Sequence, residues 1–394
     1  MTLRVDLKKK LFDFSKEQPG CNLVHRHMTK SCKDLDTIDE LEPSKKRLRL
    51  DGHDKEVRFI CYPCGRRCRL LHPVYIYSCY DCGEVFSKLR YLTRDLTGHV
   101  ALVTGARSKL GHQIVLKLLR AGCTVFGLTR YPVRAIELFS GYEDAFTWKN
   151  RLHWVECDLD CDNLTEKIKV VMHDIEKSFG FLSILINNAA QTIRVREKNI
   201  IATDSVQPNN NNTSVPSSSA QDSDQLKNRY GDGRSVPVTL KNSWQQRLID
   251  TEECEHLECY RVNALAPTIL CNLSNELMQK SPLPPYIINV HAREGLMNVK
   301  KSALHVHTNM AKAALHMLTK GLVAQKYKTK NGIFFSVHGC DPGWISVDEY
   351  YTDKFPCPCA PLDERDGAAR ILYPIFAQLT SCSVTRRHFN VLEH

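Results

Sequence analysis

No run of apolar residues in this 394-residue chain approaches the roughly 18 that a membrane-spanning helix needs. The opening MTLRVDLKKKLFDFSKE lacks the apolar core of a secretory signal. The expectation is therefore a protein with no membrane span, resident inside the cell in cytoplasm or nucleus. The compositional bias of a disordered or collagenous chain is also missing, since 42% of residues are hydrophobic and 25% charged. Nor do the 17 cysteines form a secreted disulfide framework, because they are scattered and pair densely only between residues 61 and 82.

Acidity is scarce at the front. Residues 1–100 carry 20 Lys/Arg against 14 Asp/Glu, so they supply +6 of the +10 net charge. Residues 1–58 show no sustained apolar period and read as a disordered basic arm. They include Pro43-Ser44-Lys45-Lys46-Arg47-Leu48-Arg49, which fits either a nuclear import signal or a solvated charge cluster. An excess this modest disfavours nucleic acid as the main partner.

From residue 95 onward, apolar strands alternate with helix-length segments, the rhythm of a parallel sheet covered on both faces. Strands are expected at His99–Thr104, Thr124–Thr129, Leu152–Cys157, Leu182–Ile186, Tyr286–Val290 and Ile333–His338. Helices are expected near Leu110–Ala121, Leu164–Phe179, Glu252–Gln279 and Thr308–Lys326. The fold class is thus α/β, a Rossmann-type doubly wound parallel sheet over 95–394, with a small module at 59–90. Residues 201–236, rich in Asn and Ser, are too polar to bury a core and read as a disordered insertion.

Two C-x-x-C-G knuckles, Cys61-Tyr-Pro-Cys64-Gly65 and Cys79-Tyr-Asp-Cys82-Gly83, lie 14 residues apart. Four thiolates so spaced can close a tetrahedral shell around zinc, with each glycine easing a tight turn. The knuckles resemble those of zinc ribbons, and a structural zinc on Cys61, Cys64, Cys79 and Cys82 is the expectation; Cys68 and His72 are rival ligands, and unmetallated buried cysteine is the alternative. Arg66, Arg67 and Arg69 beside them suit an acidic protein partner or phosphate. No recognition-helix pattern is evident after the second knuckle.

Strand His99–Thr104 runs into Thr104-Gly105-Ala106-Arg107-Ser108-Lys109-Leu110-Gly111. This turn resembles the T-G-x-x-x-G-x-G turn of the short-chain dehydrogenase/reductase superfamily, where glycines let backbone amides approach a pyrophosphate at a helix N-terminus. Gly105 and Gly111 match its outer glycines, and Lys109 stands where the middle one belongs. Asp158-Leu159 resembles the family's adenine-side pair, Asn187-Asn188-Ala189-Ala190 its N-N-A-G segment, and Pro342-Gly343 the segment beside the nicotinamide carboxamide. Arg130, closing the second strand, favours the 2′-phosphate of NADP over NAD, with Arg107 and Lys109 in support. The resemblance also implies homo-oligomers.

By the same resemblance Asn263 is the helix asparagine that braces the active-site water and lysine, and Lys312 is the lysine itself. Thr308, however, occupies the position of the proton-exchanging tyrosine and Ala292 that of the serine, although the His307-Thr308-Asn309-Met310-Ala311-Lys312 stretch looks like a divergent branch of the superfamily. An aliphatic hydroxyl is a poor acid near neutral pH. His291, His305 and His307 are the candidate substitutes. Two readings stand: an NADP(H)-dependent oxidoreductase with an altered catalytic set, or a catalytically impaired dinucleotide-binding pseudoenzyme acting as sensor or scaffold through its zinc module.

Overall fold

A computed structural model describes residues 59–191, 246–345 and 360–378. The basic arm at 1–58 and the insertion at 201–236 lie outside the described residues. The chain divides into two compact units, one comprising residues 1–89 with 390–394 and the other residues 90–389.

In the first unit, β1 (Phe59–Ile60) pairs antiparallel with β2 (Arg67–Cys68), and α1 (Tyr80–Tyr91) begins between the second pair of cysteines. A helix therefore runs on from the second knuckle, where the sequence offers no recognition-helix pattern. The cue was weak because α1 opens with Asp81 and Gly83 inside a motif that reads as a turn.

The second unit is built on a six-stranded parallel sheet: β3 (Val100–Thr104), β4 (Thr124–Thr129), β5 (Leu152–Glu156), β6 (Ile184–Asn187), β7 (Tyr286–Val290) and β8 (Ser336–Cys340). The strands lie in the order β5-β4-β3-β6-β7-β8, so the direction of winding reverses between β3 and β6. Ligands of such sheets sit outside the carboxyl ends of the strands at that reversal.

Every residue of β3 is buried, as expected for a strand covered on both faces. Its alternate side chains feed two cores. Ala101 and Val103 join α2 (Lys109–Arg120), α3 (Pro132–Ser140) and α8 (Glu364–Phe376). Val100 and Leu102 join α4 (Leu164–Phe179), α6 (Ala266–Gln279) and the end of α7 (Val306–Gln325). In α4 the buried Leu164, Ile168, Val171, Met172 and Ile175 trace a helical stripe. By contrast α8 is buried all round from Asp366 to Phe376 and contains Pro374, so it shows no amphipathic period and escaped the sequence reading. Asp363 caps α8 through Arg365 N and Asp366 N, while Arg90 grips Asp363 and Asp366 at 2.7–2.9 Å.

Two expected elements are revised. The helix foreseen over Glu252–Gln279 is α5 (Glu253–Tyr260) and α6 joined through a π turn at Arg261–Leu265. The last strand starts at Ser336 rather than Ile333, because Ile333 N bonds to the Thr329 side chain and Phe334 bridges back to Lys328. Among the described residues no helix is long and apolar enough to cross a membrane.

Candidate active site and cysteine cluster

Each candidate segment of the second unit leaves the carboxyl end of a strand: Thr104–Gly111 after β3, Arg130 after β4, Asp158-Leu159 after β5, Asn188–Ala190 after β6, His291-Ala292 after β7 and Pro342-Gly343 after β8. The parallel sheet therefore brings to one edge residues far apart in sequence.

The turn after β3 is shaped by backbone needs. Gly105 has φ +61°, and a Cβ there would stand 2.9 Å from Ala189 Cα. Lys109 adopts φ +54°, so a lysine carries the left-handed backbone that the glycine it replaces would adopt freely. A non-glycine residue in that conformation costs roughly 1–2 kcal/mol. At Gly111 a side chain would collide with the Gly105 carbonyl and stand 2.7 Å from Asn188 Nδ2. Gly111→Ala is expected to lower unfolding free energy by about 1–3 kcal/mol through overpacking, read by urea denaturation.

The N-N-A-A segment is laced to this turn. The Thr104 hydroxyl accepts from Asn188 N (3.0 Å) and Ala189 N (2.9 Å), and Asn188 Nδ2 donates to the carbonyls of Thr104 (3.0 Å) and Gly105 (3.3 Å). Asn187 donates to Asn289 Oδ1 at 2.8 Å, Asn289 to the Thr319 hydroxyl at 2.9 Å, and His291 Nε2 meets the same hydroxyl at 2.8 Å.

At the end of β4 the structure gathers a third arginine that the sequence did not single out. The guanidinium carbons of Arg107, Arg130 and Arg134 lie 5.5, 5.6 and 5.5 Å from the centroid of the Tyr131 ring. Desolvation, then the charges of Arg134 and Arg130, pull the Arg107 guanidinium below its ordinary value. Arg134 was hidden because it sits in α3, a helix the periodicity did not reveal. Elsewhere on the edge, Asp158 Oδ1 accepts from Asp160 N at 3.1 Å, and Leu159 is buried in the core against α4. Gly343 N donates to Asp341 Oδ1 at 2.7 Å, which turns the Pro342-Gly343 segment.

Asn263, fully buried, sits in the π turn, a local widening that often marks functional positions. Its Oδ1 accepts from Gln191 N at 2.8 Å, and its Nδ2 donates to Gln191 O at 2.7 Å and to Cys259 Sγ at 3.1 Å. Cys259 Sγ in turn lies 3.9 Å from the Thr308 hydroxyl. Sequence reasoning missed Cys259, although its four-residue spacing from Asn263 puts both on one helical face. Thr308 and Lys312 are likewise one turn apart on α7, both buried.

Lys312 Nζ donates to Val290 O at 2.8 Å, and burial pulls its ammonium down to about 8 despite the opposing charges of Cys259, Glu294 and Asp341. A buried lysine whose folded-state pKa lies below the unfolded value of 10.5 penalises the fold fully below pH 8. That penalty is relieved as pH rises from about 8 to 10.5, where the unfolded chain holds more protons. Lys312→Met is therefore expected to raise stability at pH 7 by about 1–3 kcal/mol, with the gain shrinking by pH 9.5 in thermal melts.

Of the histidines considered as substitute acids, His291 bonds to Thr319 and stacks on His316 at 3.8 Å between centroids. His307 is buried beside the His256 ring at 5.8 Å. His305 takes the left-handed N-cap position of α7 at φ +45°. The group beside the Thr308 hydroxyl is the Cys259 thiol.

In the first unit the sulfurs of Cys61, Cys64, Cys79 and Cys82 all lie within 4.8 Å of one another, and Cys64 and Cys79 Sγ are 3.9 Å apart. A tetrahedral zinc with bonds of about 2.3 Å sets its sulfurs about 3.8 Å apart. Cys79 N donates to Cys61 Sγ at 3.1 Å. Hydrogen bonding among the four, led by Cys61, holds the Cys64 thiol below its ordinary value and lifts that of Cys82. The rival ligands face elsewhere: Cys68 Sγ meets Phe59 O at 3.6 Å, and His72 Nδ1 accepts from Val74 N and Tyr75 N. Gly65 makes its turn at φ +64°, whereas Gly83 does a different job from the one expected, leaving room for the His72 ring inside α1.

Residues 99–216 match the family model described as short chain dehydrogenase. The chain is 35% identical over 347 residues to uncharacterized protein R665 of Acanthamoeba polyphaga mimivirus, covering 82% of this chain and 72% of that protein. It is 37% identical over 110 residues to farnesol dehydrogenase of Aedes aegypti, covering 28% of this chain and 42% of that one. Solved short-chain dehydrogenases from Streptomyces avermitilis and, in complex with NADP, Burkholderia cenocepacia are 18% and 17% identical, each with a TM-score of 0.48. These similarities cover 72% of this chain and 86% and 92% of those structures. The chain belongs to the short-chain dehydrogenase/reductase family, a family of oxidoreductases that bind nicotinamide dinucleotides.

Proposed function

We propose that this protein is an NADP(H)-dependent oxidoreductase interconverting an alcohol and a carbonyl compound, with a structural zinc in its Cys61/Cys64/Cys79/Cys82 cluster. The observation that carries the cofactor reading is the convergence of Arg107, Arg130 and Arg134 on Tyr131. The charges of Arg134 and Arg130 bear on the Arg107 guanidinium, and a 2′-phosphate bound there would exchange that repulsion for charge-assisted hydrogen bonds. The donor set fits NADP better than NAD, because Arg130 stands where a carboxylate would take a 2′-hydroxyl.

In this reading the Thr104–Gly111 turn, with Lys109 and Leu110, faces the pyrophosphate. Asp158 and Leu159 border the adenine, Asn188, Ala189 and Ala190 floor the pocket, and Pro342 and Gly343 meet the carboxamide. Lys312 holds the ribose. Asn263, Thr308 and Lys312 form the catalytic set, with Thr308 in hydrogen-bond reach of the substrate oxygen. When bound, the nicotinamide supplies or accepts the hydride.

The zinc reading draws on sulfur spacings close to those of a tetrahedral shell and on the Cys79 amide directed at Cys61. Exposed Ile60, Val74 and Ile76 on the same unit suit a protein partner. Exposed Leu257, Tyr260, Met310 and Met317 on the neighbouring α5 and α7 suit a second copy of the chain.

Calorimetric titration of the full chain with NADPH and NADH tests the cofactor assignment. Saturable NADPH binding with NADH at least about tenfold weaker, a gap of some 1.4 kcal/mol, supports it; equal affinities or no heat from either overturn it. Ala292, which brings no hydroxyl, favours the pseudoenzyme alternative, and NADPH binding with no turnover across a broad carbonyl panel would select that reading.

A further inference from the structure

Thr308 occupies the tyrosine's place, yet an alcohol does not hold negative charge near neutral pH. Whatever proton it gives must be replaced at once by a neighbour. The side chain in contact with its hydroxyl is that of Cys259. Gln191 fixes the Asn263 side-chain amide at both ends, its N–H donating to Oδ1 and its carbonyl accepting from Nδ2. The amide therefore presents its other Nδ2 hydrogen to Cys259 Sγ, at 3.1 Å. The sulfur is thus an acceptor toward Asn263, and it lies 3.9 Å from the Thr308 hydroxyl, a contact along which either group can donate.

We propose that Cys259 is the proton reservoir of this site, exchanging its thiol proton with the substrate oxygen through the Thr308 hydroxyl. The proposal rests on the oxidoreductase reading above. In the reducing direction, hydride from the nicotinamide adds to the carbonyl carbon and the C=O π pair moves to oxygen. That oxygen takes the proton of the Thr308 hydroxyl, and Thr308 Oγ1 takes the proton from Cys259 as the S–H bond breaks. The thiolate left behind accepts from Asn263, is balanced by the Lys312 ammonium and recovers a proton from solvent.

The electrostatics agree with a donor that is loaded at rest. Burial raises the Cys259 thiol, Glu258 on the same helix raises it further, and Thr308, Asn263 and Lys312 draw it down. Asn263 and Cys259 come from the π turn and α5, Thr308 and Lys312 from α7, so two packed helices each present one pair.

The test is alkylation of the full-length protein by iodoacetamide between pH 6 and 10.5, with modified sites located by tandem mass spectrometry. Cys254, exposed on the same helix, is the internal control. Being buried, Cys259 is expected to label far more slowly than Cys254, with its own pH inflection and with further shielding by saturating NADPH. In Lys312→Met the inflection should rise by about one unit, slowing labelling at a fixed pH by about tenfold, while Lys312→Arg restores it. An inflection of Cys259 indifferent to Lys312→Met, or a pH profile of turnover left unchanged by Cys259→Ala, overturns the proposal. Calorimetry with NADPH on the same wild-type sample separates the two failures. Binding alongside a negative thiol result removes the proposal alone, and no binding removes it together with the oxidoreductase reading.

Discussion

Cys64→Ser in the full-length protein is expected to abolish stoichiometric zinc and to unfold the first unit while leaving the sheet intact. Among the described residues of that unit, one buried cluster is made of its own cysteines, Cys61, Cys64, Cys68 and Cys79, with Leu71 and Cys82 against them, and Tyr75, Phe86 and Leu89 are buried as well. A structural zinc contributes on the order of 10–16 kcal/mol of apparent binding free energy, which in a module this small is folding free energy. Loss of one sulfur opens the shell and forfeits most of it. Elemental analysis should fall from one zinc per chain toward zero. Amide exchange should lose protection across 59–89 yet remain slow in β3, β6 and β7. A wild-type protein that carries no zinc and keeps 59–89 protected would refute the assignment.

Arg130→Glu should weaken NADPH by about 30–100-fold, because it removes a charge-assisted hydrogen bond worth about 1.5–3 kcal/mol and puts a carboxylate in its place. NADH should bind as well as before or better, since a carboxylate there can accept from a 2′-hydroxyl. The sign of the NADH change separates recognition from damage. If both nucleotides weaken equally, Arg130 supports the turn rather than reads the phosphate. Arg134→Ala should weaken NADPH as well, by a smaller factor, because Arg107 and Arg130 remain on the Tyr131 ring.

The parallel sheet was legible in the sequence because buried strands such as Val100–Thr104 are continuous apolar runs and their order is written in the chain. Leu164–Phe179 was legible for its stripe of buried residues, ended by Gly180. What escaped notice had no such period. α8 is buried on every side, and α3 keeps only Ala135 and Phe139 inside. The π turn is invisible to a periodic reading because it adds residues within a turn without breaking the apolar pattern. Asn263 was therefore placed on the right segment, while its partnership with Cys259 emerged only from the geometry. Lys109, which stands at the middle glycine position of the resembled turn, takes a left-handed backbone at φ +54° that a residue type alone does not reveal.

The hydrogen bonds leaving Thr104 have a mechanical consequence. They run through Asn188 and Ala189 toward Gln191, whose main chain grips Asn263, which grips the sulfur of Cys259. The turn after β3 and the thiol on α5 are thus tied along one short tether of backbone and side chains. Strain on the first knot is felt at the last.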